Sequence, residues 1–308
     1  MTEAARAAAE SPSGLTGQSA VDDLVALLDL ERIEENIFRG VSPAESPVRV
    51  FGGQVAGQAL VAAGRTVPVE RRVHSLHSYF IRPGDPRVPI VYEVDRIRDG
   101  RSFTTRRVVA VQHGKAIFSL SASFQLEEQG VEHTSDMPPV PDPESLPTWS
   151  ESAKSYPLVN LKFPRPIDVR YVTEPPWESR EDGPGEAASQ VWMKADGKLP
   201  DDPMLQLCVM TYASDMTLLD GVLARHGVYW GLDKVLGASL DHAMWFHRPF
   251  RADEWLLYDT TSPTASGNRG LATGRFFTRD GALVATVVQE GLIRVIKPSG
   301  DGDGDGGA

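Results

Sequence analysis

Cysteine is almost absent. Cys208 is the single one in 308 residues, which excludes an internal disulfide framework and fits a reducing compartment. Long apolar runs are missing too: none approaches the ~20 residues of a bilayer-spanning helix. Met1–Ser19 has neither the basic segment nor the apolar core of a secretory signal, and the chain does not end in Ser-Lys-Leu. A cytoplasmic protein without a membrane span is therefore expected. Positive charge is scarce, because 31 Lys and Arg against 42 Asp and Glu leave a net charge of −11. That balance disfavours a nucleic-acid partner, whose phosphates would be repelled. There is no Gly-x-Gly-x-x-Gly or Walker loop before a helix, no Gly-x-Ser-x-Gly elbow, and no His/Cys cluster with zinc spacing. Neither a metal nor a cofactor is expected.

What is present is stated twice. Phe80-Ile81-Arg82-Pro83 returns as Phe246-His247-Arg248-Pro249, and Ile90-Val91-Tyr92 as Leu256-Leu257-Tyr258. After a one-residue slip, Gly114-Lys115-Ala116-Ile117 returns as Gly281-Ala282-Leu283-Val284. A repeat longer than the ~20–50 residues of solenoid units indicates duplication, with two similar units forming a pseudo-dimer that shares one sheet. Each copy reads strand, helix, then antiparallel meander. The class is α+β, a long helix wrapped by a curled antiparallel sheet. Expected boundaries are a disordered tail over 1–19, a first unit over 20–128, a Pro-rich connector over 129–165, a second unit over 166–297 and a disordered Gly/Asp tail over 298–308. The tail Asp301–Gly306 begins like an EF-hand loop but stops before the glutamate such a loop needs.

Within the units, Val21–Ile37 reads as an amphipathic helix with Leu24, Leu27, Leu28 and Ile33 on its apolar side, and Val48–Phe51 as a strand. From Gly53 to Arg65 a helix places Gly53, Ala56, Gly57, Leu60 and Gly64 on one face, small enough to lie close against a sheet. Phe118, Leu120, Ala122 and Phe124 alternate with serines, as in a half-buried strand. His113-Gly114 and Asp280-Gly281 read as hairpin turns. Ile167–Thr173 and Gln190–Ala195 are strand candidates, and the second helix starts near Pro203, preceded by Asp201 and Asp202.

That second helix, with Leu207-Cys208-Val209-Met210 and then Met216, Leu218 and Leu219, is apolar nearly all round and hence buried. Asp215 sits inside this run beside Ser214. A carboxylate there is costly unless it is hydrogen-bonded or functional; the alternatives are a helix-end cap or a partner for Arg225. Ser239 opens the stretch Ser239–Pro249, and Gln289 interrupts a core strand where the first copy has Ala122. His242 and His247 lie five apart on a strand and point to opposite faces, without an evident nucleophile. They read as structural, as do His74 and His77, and Cys208 reads as a core residue. Arg96, Arg98, Arg101, Arg106 and Arg107 form either a solvated strand face or, beside Gly100, a site for a polyanionic ligand. Gly52-Gly53 either packs tightly or offers backbone amides at a helix N-terminus.

Tyr212-Ala213-Ser214-Asp215, Ser239 to Pro249 and Val288-Gln289-Glu290-Gly291 resemble the acyl-CoA thioesterase II (TesB-like) family. So do Phe51–Val55, His74–Asp85 and Arg98–Phe103, and the resemblance spans nearly the whole chain between its tails. It implies a double hot-dog fold and hydrolysis of acyl-CoA to fatty acid and CoA. It matches the family's catalytic residues to Asp215, Ser239 and Gln289, with serine where many members carry threonine. It also implies assembly as a homo-oligomer, a dimer or tetramer of double hot-dog chains. CoA is expected across the seam between copies, its phosphates near Gly100, Arg101 and Ser102 from one half and Ser266, Asn268 and Arg269 from the other, while Gly52 and Gly53 bring the first copy's helix N-terminus to the substrate, with the Gly53 amide as an oxyanion donor. Two other classes stay open. An enoyl-CoA hydratase typically pairs an aspartate with a histidine five residues on, where this chain has Asp220. A non-catalytic acyl-CoA binding protein would use the same fold.

Overall fold

The computed structural model describes residues 16–43, 49–152, 154, 164–178, 185–230 and 235–296. Among these, thirteen strands form one antiparallel sheet. The first half of the chain supplies β1 (Glu31–Glu34), β2 (Ile37–Gly40), β3 (Arg71–Phe80), β4 (Ile90–Asp99), β5 (Phe103–Gln112) and β6 (Lys115–Leu126). The second half supplies β7 (Ile167–Tyr171), β8 (Ala188–Ala195), β9 (Val235–Ser239), β10 (Asp241–Phe246), β11 (Leu256–Ser266), β12 (Arg269–Thr278) and β13 (Leu283–Val295). Their spatial order is β1-β2-β4-β5-β6-β3-β10-β13-β12-β11-β8-β7. β10 and β9 lie end to end along β13, opposite Ala285–Val288 and Gly291–Val295 respectively. The two halves meet where β3 pairs with β10, Leu76 opposite Met244 and Ser78 opposite His242. Ser78 Oγ donates to the His242 carbonyl at 2.8 Å, and Phe80 N to the Leu240 carbonyl at 2.9 Å.

Period-two patterning sets which face is inside. In β6, Phe118, Leu120, Ala122 and Phe124 are buried while Ser119, Ser121 and Ser123 face outward. The meanders turn on left-handed residues, His113 (φ 50°) with Gly114 (φ 68°), and Gly267 (φ 58°) with Asn268 (φ 60°). These geometries follow the right-handed twist of the strands they join.

Four helices pack on the inner face: α1 (Gly17–Leu28), α2 (Gly52–Gly64), α3 (Pro203–Ser214) and the short α4 (Asp220–Arg225). Asp202 caps α3, its carboxylate accepting from the amides of Met204 (2.8 Å) and Leu205 (3.3 Å), with Pro203 in the first turn. α2 is enclosed from Gly53 to Ala63. Its buried Gln58 is satisfied, donating to the Leu27 carbonyl at 2.7 Å and accepting from the Tyr92 hydroxyl at 2.7 Å. This is the double hot-dog architecture, two curled half-sheets each around one long helix.

Several sequence expectations change. The first helix ends at Leu28 rather than Ile37, because Asp29 N closes it on the Val25 and Ala26 carbonyls. Ile33 then lies in β1, 51% exposed. Thr16–Ser19 belongs to the start of that helix, whereas residues 1–15 and 298–308, expected as tails, lie outside the described residues. No strand forms at Arg49–Phe51, and Val48 lies outside the described residues. The second helix stops at Ser214 instead of continuing through Leu219. Thr211 Oγ1 bonds back to the Leu207 carbonyl (2.8 Å), a side-chain bond that competes with the helical ladder, and Ser214 Oγ lies 2.9 Å from the Thr211 carbonyl.

The small face of α2 meets the other helix, not the sheet. A β-carbon on Gly53 would lie 2.2 Å from the Tyr212 carbonyl oxygen, and one on Gly57 3.2 Å from that of Cys208. One on Gly64 would meet the Met204 side chain at 2.5 Å. This order makes α2 and α3 antiparallel in direct backbone contact. Gly53→Ala should therefore cost about 1–3 kcal/mol by overpacking despite alanine's better helix propensity. Gly64→Ala should be milder, since the Met204 thioether can swing aside. Thermal or urea unfolding of the two variants measures the contrast, and equal stabilities would contradict this packing.

Candidate active site

The antiparallel helices bring the end of α3 to the start of α2. Asp215, the residue that closes α3, projects toward the half-buried Ser239 at the end of β9 and the buried Gln289 in β13. The three side chains form a closed triangle. Asp215 Oδ1 accepts from Ser239 Oγ at 3.0 Å and from Gln289 Nε2 at 2.9 Å, and Gln289 Nε2 also lies 2.9 Å from Ser239 Oγ. The pairing of β9 with β13, Ser239 opposite Gly291, holds two of them in register. The other carboxylate oxygen faces the opposite half of the chain: a β-carbon on Gly52 would come within 2.5 Å of Asp215 Oδ2. Gly52, the first residue of α2, therefore borders the Asp215 carboxylate, and only glycine leaves it room.

Sequence reasoning missed two members of this network. His242 is completely buried; its Nδ1 hydrogen-bonds Gln289 Oε1, and its Nε2 lies 2.8 Å from Ser214 Oγ. Burial pushes its pKa below the ordinary imidazole value, against the opposing pull of Asp215 and Gln289. The available signal was the repeat itself: the register that sets Phe246 on Phe80 sets His242 on Leu76, an apolar-to-imidazole change at a core position.

Elsewhere the expectations divide. Asp215 caps the end of α3, and Arg225 instead donates to the Gly185 carbonyl at 3.1 Å. His247 is exposed on the outer face, bonded to Thr286 at 2.8 Å, and burial raises the pKa of the Cys208 thiol far above its usual value. Three members of the arginine cluster have partners within the protein. Arg106 is buried against Thr66 and Asp99, while Arg107 pairs with Asp95 (2.9 Å) and Arg96 with Glu35 (2.8 Å).

Gly100, Arg101 and Ser102 are not brought to the triangle. They sit where Arg71 opens β3, Arg71 Nη2 donating to the Gly100 carbonyl at 2.9 Å and the Arg101 carbonyl at 3.1 Å. The triangle lies toward the Phe80 end, about 30 Å away along a ten-residue strand. The strands of the two halves run antiparallel at the seam, so their corresponding hairpins point to opposite ends. Ser266, Asn268 and Arg269 are on the Asp215 side, Arg269 pairing with Leu292, about 10 Å along β13 from Gln289.

Immediately after Asp215, Met216 and Thr217 form part of the wall of a cavity of about 110 Å³, completed by Ile167, Val169 and the aromatic rings of Trp149, Tyr171, Trp177 and Trp230. Asp220 reaches the same space, its carboxylate accepting from the Tyr171 hydroxyl at 2.8 Å. Desolvation raises its pKa to about 7.

Two family models match, one described as acyl-CoA thioesterase over residues 162–292 and one as the acyl-CoA thioesterase N-terminal domain over 42–125. Human acyl-coenzyme A thioesterase 8 is 41% identical over 285 residues, covering 88% of this chain and 89% of its own length. Acyl-CoA thioesterase 2 of Haemophilus influenzae is 39% identical over 282 residues, covering 89% and 98%. Among solved structures, an acyl-CoA thioesterase II, TesB2, from Mycobacterium marinum superposes with a TM-score of 0.73 at 46% identity, covering 92% of this chain and 99% of that one. Relatedness of this depth across nearly the whole chain makes the protein a member of the acyl-CoA thioesterase family, and thereby a thioester hydrolase.

Proposed function

We propose that Asp215, Ser239 and Gln289 hold and activate one water that hydrolyses acyl-CoA to a free fatty acid and CoA. The observation that carries this is the closed triangle itself: one carboxylate, one hydroxyl and one amide NH2, mutually bonded at the junction of the two halves. The chemistry asks for little more. A CoA thiol has a pKa near the ~8.5 of free cysteine, so it departs as thiolate without a strong general acid. Hydrolysis then needs a positioned water, an acceptor for its proton and donors for the developing oxyanion. Asp215 takes the proton as the water oxygen bonds to the carbonyl carbon. Ser239 and Gln289 fix the water, and collapse of the tetrahedral intermediate expels the thiolate. The Gly53 amide is the candidate oxyanion donor, at a helix N-terminus whose dipole favours negative charge.

The hydratase alternative would need a histidine free to exchange a proton with substrate. Both ring nitrogens of His242 are already engaged, by Gln289 and Ser214. For CoA, only the Ser266–Arg269 turn shares an end of the seam with Asp215, so the phosphates are assigned there and Gly100–Ser102 is given up as part of this site. The cavity beyond Met216 is assigned to the acyl chain. The two repeat units, 20–128 and 166–297, together build one site per chain. Assembly of two or more chains is proposed as well, consistent with large apolar side chains such as Tyr79 and Phe103 left exposed.

Asp215→Asn should lower kcat by ~10²-fold or more in a folded protein, and Ser239→Thr should retain far more activity than Ser239→Val. Near-parental thiol release by folded Asp215→Asn would sink the assignment. Arg269→Ala should raise KM for acyl-CoA and flatten its salt dependence, whereas Arg101→Ala should change neither; the reverse pattern would relocate CoA.

Asp220 offers a separate check. Its folded pKa of about 7 lies above the unfolded 3.8, so between these values the unfolded chain has already lost the proton that the folded one keeps. Stability therefore falls as pH rises through that window. Asp220→Asn removes this loss while keeping an acceptor for Tyr171. Its stability relative to the parent should climb from about pH 4 to about pH 7 and then level off, as read by urea denaturation across pH.

A further inference from the structure

A side-chain amide is nearly symmetric in shape, so packing alone cannot tell its oxygen from its nitrogen. For Gln289 the difference is decisive. With Nε2 toward the triangle it donates to Asp215 and Ser239; rotated by half a turn, its oxygen would face the Asp215 carboxylate across the same 2.9 Å. Something on the far side of the amide must choose, and the group there is His242 Nδ1.

We infer that His242 is a positioning residue: it donates from Nδ1–H to Gln289 Oε1 and so aims the amide NH2 at Asp215 and Ser239. The inference rests on the reading of Asp215, Ser239 and Gln289 as the water-holding set. Ser214 completes the tautomer. A neutral imidazole that donates from Nδ1 accepts at Nε2, so the single proton of the Ser214 hydroxyl, 2.8 Å away, goes to that nitrogen and not to its other possible acceptor, the Thr211 carbonyl at 2.9 Å. The alternative, Nε2–H donating to Ser214, would leave Nδ1 an acceptor and turn the amide the wrong way. The chain of donors therefore runs in one direction, from Ser214 to His242 to Gln289 to Asp215.

The duplicated half provides an internal control. Setting Phe246 on Phe80 places Val73, Leu76 and Ala122 at the positions of Ser239, His242 and Gln289. Leu76 and Ala122 face each other across β3 and β6, as His242 and Gln289 do one step beyond the Ala243–Val288 pair. At the helix ends, Gly64 and Arg65 stand where α3 has Ser214 and Asp215. The polar residues thus form a set that is present in one half and replaced in the other. Leu76, fully buried, demonstrates that the hot-dog core accepts an apolar side chain at this place. An imidazole buried there carries a desolvation cost that packing does not require, and its two bonds lead to Gln289 and Ser214.

Substitutions at His242 separate orientation from mere structure. His242→Leu copies the first half. His242→Asn offers an N–H near the Nδ1 position, and His242→Gln offers one near Nε2 instead. With each rate normalised to the folded fraction, His242→Leu and His242→Gln should lose on the order of 10- to 100-fold in kcat with little change in KM, as for a misaligned reacting group. His242→Asn should recover most of that loss. Independently of activity, the 15N spectrum of histidine-labelled parent protein, assigned by the signal missing from His242→Asn, should place the proton on Nδ1. A parental kcat in His242→Leu alongside an impaired Gln289→Ala would overturn the positioning role and leave the water-holding set intact. A proton found on Nε2 would also overturn it, as would equal losses in the Asn and Leu variants. Parental turnover by both Gln289→Ala and Asp215→Asn would instead remove the underlying reading.

Discussion

Gly53 approaches α3 so closely that a β-carbon would sit 2.2 Å from the Tyr212 carbonyl, and this backbone contact between helices governs where everything else lies. Antiparallel packing in that register places the opening of one helix against the closing residue of the other. Gly52 then lies beside Asp215, with no space for a side chain between them. The sheet seam acts in concert, because pairing β3 with β10 brings Phe80 of the first half to the β9–β10 junction of the second. The Asp215 carboxylate from one repeat and a helix N-terminus from the other become neighbours through packing alone.

The same symmetry creates a second, corresponding place at the other end of the seam. There α2 closes with Arg65, bonded to Asp29 and to the Leu30 carbonyl, and the core positions carry Val73, Leu76 and Ala122. Apolar residues at these positions satisfy the burial that the fold demands. The polar residues of the second half do not improve that burial. They persist because each is bonded to the next, so the carboxylate, two hydroxyls, one amide group and imidazole share one continuous network. The desolvation cost of any one of them is offset only while its neighbours are present.

Burial sorts the remaining ionisable groups by consequence. Asp220, enclosed among aromatic rings in the wall of the cavity beside Asp215, binds its proton more tightly than an exposed carboxyl does. Arg106, equally enclosed, is instead paired: its guanidinium donates to Thr66 Oγ1 and to the Asp99 carboxylate. The arginine-rich β4–β5 hairpin was ambiguous in sequence for this reason: a run of like charges does not reveal which members turn inward to a partner.

Much of the architecture was legible in one dimension. Phe80–Pro83 and its echo Phe246–Pro249 disclosed the duplication, the alternation in β6 disclosed its inner face, and Asp202-Pro203 marked a helix start, all of them local patterns of period and capping. Asp215, Ser239 and Gln289 stood out as polar residues in apolar surroundings. Their mutual hydrogen bonds did not, since they lie on a helix end and two strands separated by dozens of residues. Helix ends were misjudged at Ile37 and Leu219 because side-chain bonds and strand pairing outweigh propensity there. The partner of the glycine face of α2, the opposite ends taken by the two hairpins, and the contact of His242 with Gln289 were decided only by tertiary structure. Sequence by itself determined the repeat, the inward faces and the chemistry available. Which of those groups touch depended on helix packing and strand register between the halves, long-range distances that no local pattern encodes.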